Sequence, residues 1–269
     1  MEMVASVYKR TRTSTVPKLS ELLDRKPEPM EAPEIVLRKL GQYTLAAGLD
    51  LETNDFVKGR KPSCVGRFGH KCWCGPEDLQ FRLVQVGWVL GNCTKGEPTH
   101  TRKERLIEPQ NFNISEDATN KHGITNADIK TNGLPLREVL EELMSAMWAL
   151  HGAGGVVVSH HLEFDAGIID EELQRCEMEE WRPRWKLIAS NGICTLDLNV
   201  QEWFQTTSGR VKEPGEKTLV MNLRDSVMLF YADCPHVLEL LKRTHTAGAD
   251  AELHLLLYRA LRDLATRHA

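Results

Sequence analysis

Several large protein classes are excluded by what the sequence lacks. No stretch among its 269 residues reaches the about 18 consecutive apolar residues of a membrane-spanning helix. Residues 1–20 are basic and carry Ser and Thr, without the apolar core of a secretory signal. They read as a floppy basic tail, with a transit peptide to an organelle as the second reading. No GxGxxG, P-loop, GxSxG or CxxC motif occurs. Dinucleotide-binding, NTPase, serine hydrolase and thioredoxin readings therefore have no support. Cysteine is sparse and odd in number, seven in the whole chain. That argues against a disulfide framework and for a reducing intracellular compartment, cytoplasm or nucleus. The net charge of −4 gives no global nucleic-acid footprint.

What is present suits one α/β domain with an extension. Hydrophobic residues make up 41% of the chain, enough for a sizeable core. Pro27, Pro29 and Pro33 break any long helix in residues 1–40, which read as a flexible N-terminal extension with one short helix near Leu19–Asp24. Residues 41–269 form the domain, with strands expected over 43–49, 81–90, 101–108, 155–159 and 193–198. Leu136, Val139, Leu140, Leu143, Met144, Met147 and Trp148 fall at helical spacing, so a helix is expected from Pro135 to His151, ending at Gly152. Further helices are expected over 163–180, 222–231, 235–243 and 249–268, and a polar loop over 207–218. Strands first, then alternating helices and strands, make a mixed-sheet α/β domain. Residues 55–80 read as a long irregular insertion.

Charge is uneven along the chain. Residues 56–110 hold ten Lys or Arg and five acids. Lys58, Arg60, Lys61, Arg67 and Lys71 suit a phosphate-tracking loop, or simply a solvated face. Cys64, His70, Cys72 and Cys74 offer zinc-ligand types in the same loop. Only one residue separates Cys72 from Cys74, tighter than a usual finger, so structural Zn²⁺ stands second to free thiols. Trp181, Trp185 and Trp203, beside Arg182, Arg184 and Lys186, read as surface packing.

Three short segments place carboxylates beside apolar runs or helix starts. Asp50 and Glu52 are two apart, so on an extended chain both project from one face. Ser159-His160-His161-Leu162-Glu163-Phe164-Asp165 follows the apolar Val156–Val158 run, and His245 precedes Asp250 by five residues. Each segment alone reads as ordinary capping or solvation.

Together and in this order they resemble the DEDDh (DnaQ-like) family of 3′→5′ exonucleases. That family includes polymerase III epsilon proofreading subunits, RNase T and three-prime repair exonucleases. Asp50-Leu51-Glu52 resembles its D-x-E motif. His160 to Asp165 resembles H-N-x-x-F-D, with His161 in place of the usual Asn, and His245 with Asp250 resembles H-x-x-x-x-D. The stretch ending His122-Gly123-Ile124-Thr125 is similar to the epsilon-type H-G-I-T, where His122 reads as structural. The resemblance covers about residues 43–265.

It implies an RNase H-like mixed five-stranded sheet flanked by helices. It implies that Asp50, Glu52, Asp165 and Asp250 hold two Mg²⁺ or Mn²⁺ ions, hard cations suited to oxygen ligands. His245 takes the general-base role, which a neutral imidazole fills near pH 7. Leu51, Thr53, His160 and His161 match positions that meet the terminal nucleotide, although Leu51 equally suits plain core. The implied activity is release of mononucleotides from single-stranded or frayed 3′ ends of DNA or RNA. Alternatives are an accessory subunit bound to a polymerase and a nucleic-acid-binding module without turnover. Some relatives are homodimers. No membrane partner is expected.

Overall fold

In this computed structural model, residues 40–55, 64–65, 71–72, 81–94, 100–207 and 220–268 are described. The N-terminal extension lies outside them except Leu40, and so do the short helix near Leu19–Asp24 and nearly all of the loop over 207–218. Leu40 itself is core: it is buried, and its carbonyl accepts the Tyr258 hydroxyl at 3.0 Å.

The elements run β1 (Leu45–Thr53), β2 (Cys64–Val65), β3 (Lys71–Cys72), β4 (Leu83–Asn92), β5 (His100–Leu106), α1 (Glu116–His122), α2 (Asn126–Asn132), α3 (Leu136–Gly152), β6 (Val156–Ser159), α4 (Leu162–Arg175), α5 (Trp181–Asn191), β7 (Ile193–Cys194), α6 (Leu198–Thr207), α7 (Leu223–Tyr231), α8 (Pro235–Leu241) and α9 (Ala247–His268). The main sheet has the order β5-β4-β1-β6-β7. β1 pairs antiparallel with β4 and parallel with β6, so the sheet is mixed and five-stranded, as expected. In the insertion β2 and β3 pair Cys64 with Cys72 along the backbone. His70 and Cys74 lie outside the described residues, as do Lys58, Arg60, Lys61 and Arg67.

Alternation along β1 divides two cores. Ala47, Leu49 and Leu51 face a cluster built with Leu140, Leu143, Met144 and Met147 of α3. Ala46, on the other face, packs with Ala251, Leu255 and Tyr258 of α9. Asp50 and Glu52 share that second face by the period of two. Small residues there let α9 cross the sheet closely. A Cβ on Gly48 would stand 1.9 Å from the Ala251 carbonyl oxygen, and one on Gly87 2.2 Å from the Ala247 carbonyl carbon. Gly87 pairs directly opposite Asp50. The sequence therefore brings the start of α9 over the acidic end of β1.

Some elements differ from expectation. The helix expected over 163–180 stops at Arg175, and Glu177 takes a left-handed φ of 54° before α5 begins. α5 and most of α6 fall where no element was expected, and the strand expected over 193–198 shrinks to Ile193–Cys194. Trp181 is half-buried with the Arg184 guanidinium 4.9 Å from its ring centroid, but the other two tryptophans of that patch are core. Trp185 is fully buried, its indole N–H donating to the Ala166 carbonyl at 3.0 Å, and Trp203 is buried too. Arg182 is buried and paired with Asp170 at 2.9 Å and Glu179 at 3.0 Å. Within the basic surplus, Arg82 pairs with Glu172, Arg102 with Glu104 and Glu252, and Lys103 and Arg105 with Glu142. No helix among the described residues is long and apolar enough to cross a membrane.

Candidate active site

A cleft of about 550 Å³ opens where β1, α1, α4 and α9 meet. All nine residues singled out in the sequence belong to this neighbourhood. Asp50, Leu51, Glu52, Thr53, His160, His161, Asp165, His245 and Asp250 all line the cleft.

Each carboxylate comes from a rigid element. Asp50 and Glu52 are held by the ladder to β4. Asp165 sits in the first turn of α4, buried, where the Ser159 hydroxyl donates to its Oδ2. Asp250 sits in the first turn of α9, and its Oδ2 accepts the His245 backbone N–H at 3.0 Å. Its Oδ1 is buried with no hydrogen-bond partner among the described residues. Gln85 fastens this helix start to the sheet: its Oε1 accepts the Ala247 N–H at 2.9 Å while its Nε2 donates to Glu104 at 2.8 Å.

Four acids together in a poorly solvated cleft resist ionisation. Burial, then the charges of Glu52, Asp250 and Asp165, push Asp50 well above the usual carboxylate range. Burial raises Glu52 to about 8, against the pull of Lys121, and the charges of Asp250 and Asp165 add to it. Burial raises Asp165 to about 7, opposed by the Ser159 hydroxyl, and Asp250 to about 6, opposed by the His245 N–H. Such a set binds either protons or cations. Ligand atoms of Glu52, His245 and Asp250 lie within 4.8 Å of one another. A hard-oxygen donor set with a buried orphan oxygen fits a divalent cation.

His245 is exposed and adopts a left-handed φ of 68°. Partial desolvation of the ring by the cleft wall, then the nearby Lys121 charge, lower its pKa, so the neutral form prevails near pH 7. His161 is exposed and stacks on Phe164, with centroids 5.7 Å apart and planes at 16°. His160 is tied at both nitrogens. Its Nε2–H donates to the Met221 carbonyl at 2.9 Å, and its Nδ1 accepts the Thr195 hydroxyl at 2.8 Å. Burial drops its pKa to about 4. Leu51 belongs to the core as well as the cleft. The Thr53 hydroxyl donates to the Asp55 carbonyl at 3.1 Å.

Three of the six further lining residues bear on the chemistry. His122 Nδ1 accepts the Ile124 N–H at 3.0 Å, so the ring proton sits on Nε2, which donates to the Thr53 carbonyl at 3.3 Å. The H-G-I-T turn thereby clamps the end of β1. Lys121, next to it, is the only lysine or arginine lining this cleft among the described residues. Neither Lys121 nor His254 figures in the sequence reading. A signal for His254 exists, since it follows Asp250 by four residues on one helix and so shares its face.

No protein-family model matches the sequence, and no curated protein matches it. Solved structures do share the fold. The zinc-bound form of an E. coli exonuclease I–single-stranded DNA complex aligns with a TM-score of 0.58 at 12% identity, over 84% of this chain and 42% of that one. An apo exonuclease I aligns at 0.55 and 12%, over 82% and 42%. The E. coli enzyme in complex with a dA16 oligonucleotide aligns at 0.55 and 14%, over 84% and 42%. This chain thus spans less than half the length of those proteins. The RNase H-like mixed sheet with flanking helices is the fold of this protein.

Proposed function

We propose that this protein is a metal-dependent 3′→5′ exonuclease of the DEDDh type, releasing mononucleotides from single-stranded ends of DNA or RNA. The observation that carries the reading is the meeting of Asp50, Glu52, Asp165 and Asp250 in one cleft with His245 at its mouth. The shared fold with exonuclease I, whose structures include complexes with single-stranded DNA, adds to it.

Asp50, Glu52, Asp165 and Asp250 would hold two divalent ions, Mg²⁺ or Mn²⁺, whose positive charge stabilises the attacking and leaving oxygens of the displacement. The protein's own residues do the rest. His245, neutral and exposed, accepts the proton of the attacking water. Lys121 sets a positive charge at the cleft wall, where a phosphate oxygen gains charge. The His161–Phe164 stack and Leu51 offer apolar faces to a base. His122 holds the Thr53 backbone in place, so the strand end that meets the terminal nucleotide stays rigid.

The test is a gel assay with 3′- and 5′-labelled single-stranded DNA and RNA, in Mn²⁺ or EDTA, comparing wild type with Asp50→Ala. Stepwise shortening from the 3′ end that needs both metal and Asp50 is the expected result. Binding of either polymer without cleavage would replace this reading with that of a binding module.

A further inference from the structure

One turn beyond Asp250, α9 presents a nitrogen donor to the same cleft. His254 is 1% exposed and lines the cleft. Its Nδ1 lies 2.7 Å from the Leu49 carbonyl oxygen. A carbonyl only accepts, so Nδ1 carries the ring proton and Nε2 keeps its lone pair. Nε2 faces Asp50 Oδ1 at 3.9 Å. That gap is too long for a direct hydrogen bond. An imidazole lone pair and a carboxyl oxygen thus face each other within the cleft.

This arrangement suits a cation. Nitrogen and oxygen donors bind Zn²⁺ at about 2.0–2.2 Å, and Mg²⁺ takes oxygen at a similar length. The observed separation is less than twice that, so one ion can touch both atoms. An imidazole that ligates a metal ordinarily donates its other N–H to a carbonyl or carboxylate, which aims the lone pair. Leu49 fills that role. The His160 ring stacks on His254 with centroids 6.3 Å apart and planes at 24°, and His160 is itself anchored at both nitrogens. The plane of His254 is therefore fixed before any ion arrives.

Resting on the cation site of the proposed function, we infer that His254 Nε2 is a ligand to the ion held by Asp50. The four carboxylates alone make an all-oxygen site. With His254 the Asp50 side becomes a mixed nitrogen–oxygen site. Mg²⁺ favours oxygen ligands and retained water, whereas imidazole raises the affinity for transition ions. The site accordingly takes Mn²⁺ in preference to Mg²⁺.

The experiment is electron spin-echo spectroscopy of the full chain loaded with Mn²⁺ alone, with ¹⁵N-labelled histidine, for wild type, His254→Gln and His245→Ala. A directly bound imidazole nitrogen is expected in wild type and His245→Ala, and its loss in His254→Gln. Calorimetry should show Mn²⁺ affinity falling about tenfold or more in His254→Gln, with Mg²⁺ affinity near its wild-type value. No bound nitrogen in wild type, or its loss in His245→Ala, overturns the inference, and both readouts survive if His254→Gln fails to fold. Oligonucleotide cleavage is measured on the same samples. Bound nitrogen without cleavage in wild type overturns the nuclease reading and leaves the ligand. Cleavage without bound nitrogen overturns the ligand alone.

Discussion

His245 reaches the cleft from a backbone conformation that a non-glycine residue adopts at a cost of roughly 1–2 kcal/mol. Its side chain and its backbone do separate jobs. The N–H holds Asp250, and the imidazole faces Glu52 and Asp250. Truncation should therefore separate them. His245→Ala is expected to lower kcat by about 10²–10⁴-fold, the usual range for a general base, while the backbone bond to Asp250 and Mn²⁺ binding survive. His245→Gly should lose as much kcat yet melt no lower than wild type, because glycine takes φ of 68° without strain. Steady-state kinetics with thermal melts checks both. Unchanged turnover would remove His245 from the chemistry. His122→Ala should cost about 1–3 kcal/mol, the penalty for stranding a buried donor and acceptor, here the Ile124 N–H and the Thr53 carbonyl. Urea unfolding measures it. The acids and His245 were legible in the sequence because each sits in a short motif with local spacing. Lys121 carried no signal, since a lysine at the end of a polar helix looks solvated until the fold turns it toward Glu52. His254 reads as one more residue of a long helix until β1 is known to lie beneath it.

At the scale of elements, the approach of α9 to β1 and β4 decides where Asp250 stands. That approach depends on Gly48 and Gly87. Gly87→Ala places a methyl group within 2.2 Å of the Ala247 backbone, which no side-chain rotation relieves. Overpacking of this kind costs about 1–3 kcal/mol or more. It should also shift the turn carrying His245 and Asp250, so activity is expected to fall further than stability. Chemical denaturation run beside an activity assay tests this, and an active, wild-type-stable Gly87→Ala would contradict the close packing. Long amphipathic elements such as α3 and β4 were readable from their apolar period. The seven-residue α1 and α2 were not, being polar and too short to show a period. Their caps are nonetheless written locally. Ser115 accepts the Ala118 N–H, Gly123 closes α1 in the left-handed region, and Thr125 with Asp128 forms a capping box. The break between α4 and α5 gave no such sign, because the left-handed turn falls on Glu177 rather than on a glycine.

Over the whole molecule, the acidic cleft ties stability to pH and to metal. Glu52, Asp165 and Asp250 titrate in the folded protein at about 8, 7 and 6. In the unfolded chain they return to values near 4. Between these limits the folded state binds more protons than the unfolded state, so stability falls as pH rises. In EDTA the stability these groups contribute should be complete below about pH 4 and should be lost steadily up to about pH 8. Saturating Mn²⁺ at pH 8 should restore it by mass action and flatten the slope. Melting curves at several pH values, with EDTA or Mn²⁺, read this directly. A melting temperature indifferent to both would mean that the four carboxylates form no cation site.

The most direct test of the central claim is the chemical identity of the product. Full-length protein would be incubated with Mn²⁺ and a short single-stranded oligonucleotide of defined sequence, and the mixture resolved by mass spectrometry over time. The account predicts nucleoside 5′-monophosphates together with a ladder shortened one nucleotide at a time from the 3′ end, both absent in EDTA. Internal fragments, shortening from the 5′ end, or an oligonucleotide that stays intact with metal present would contradict it.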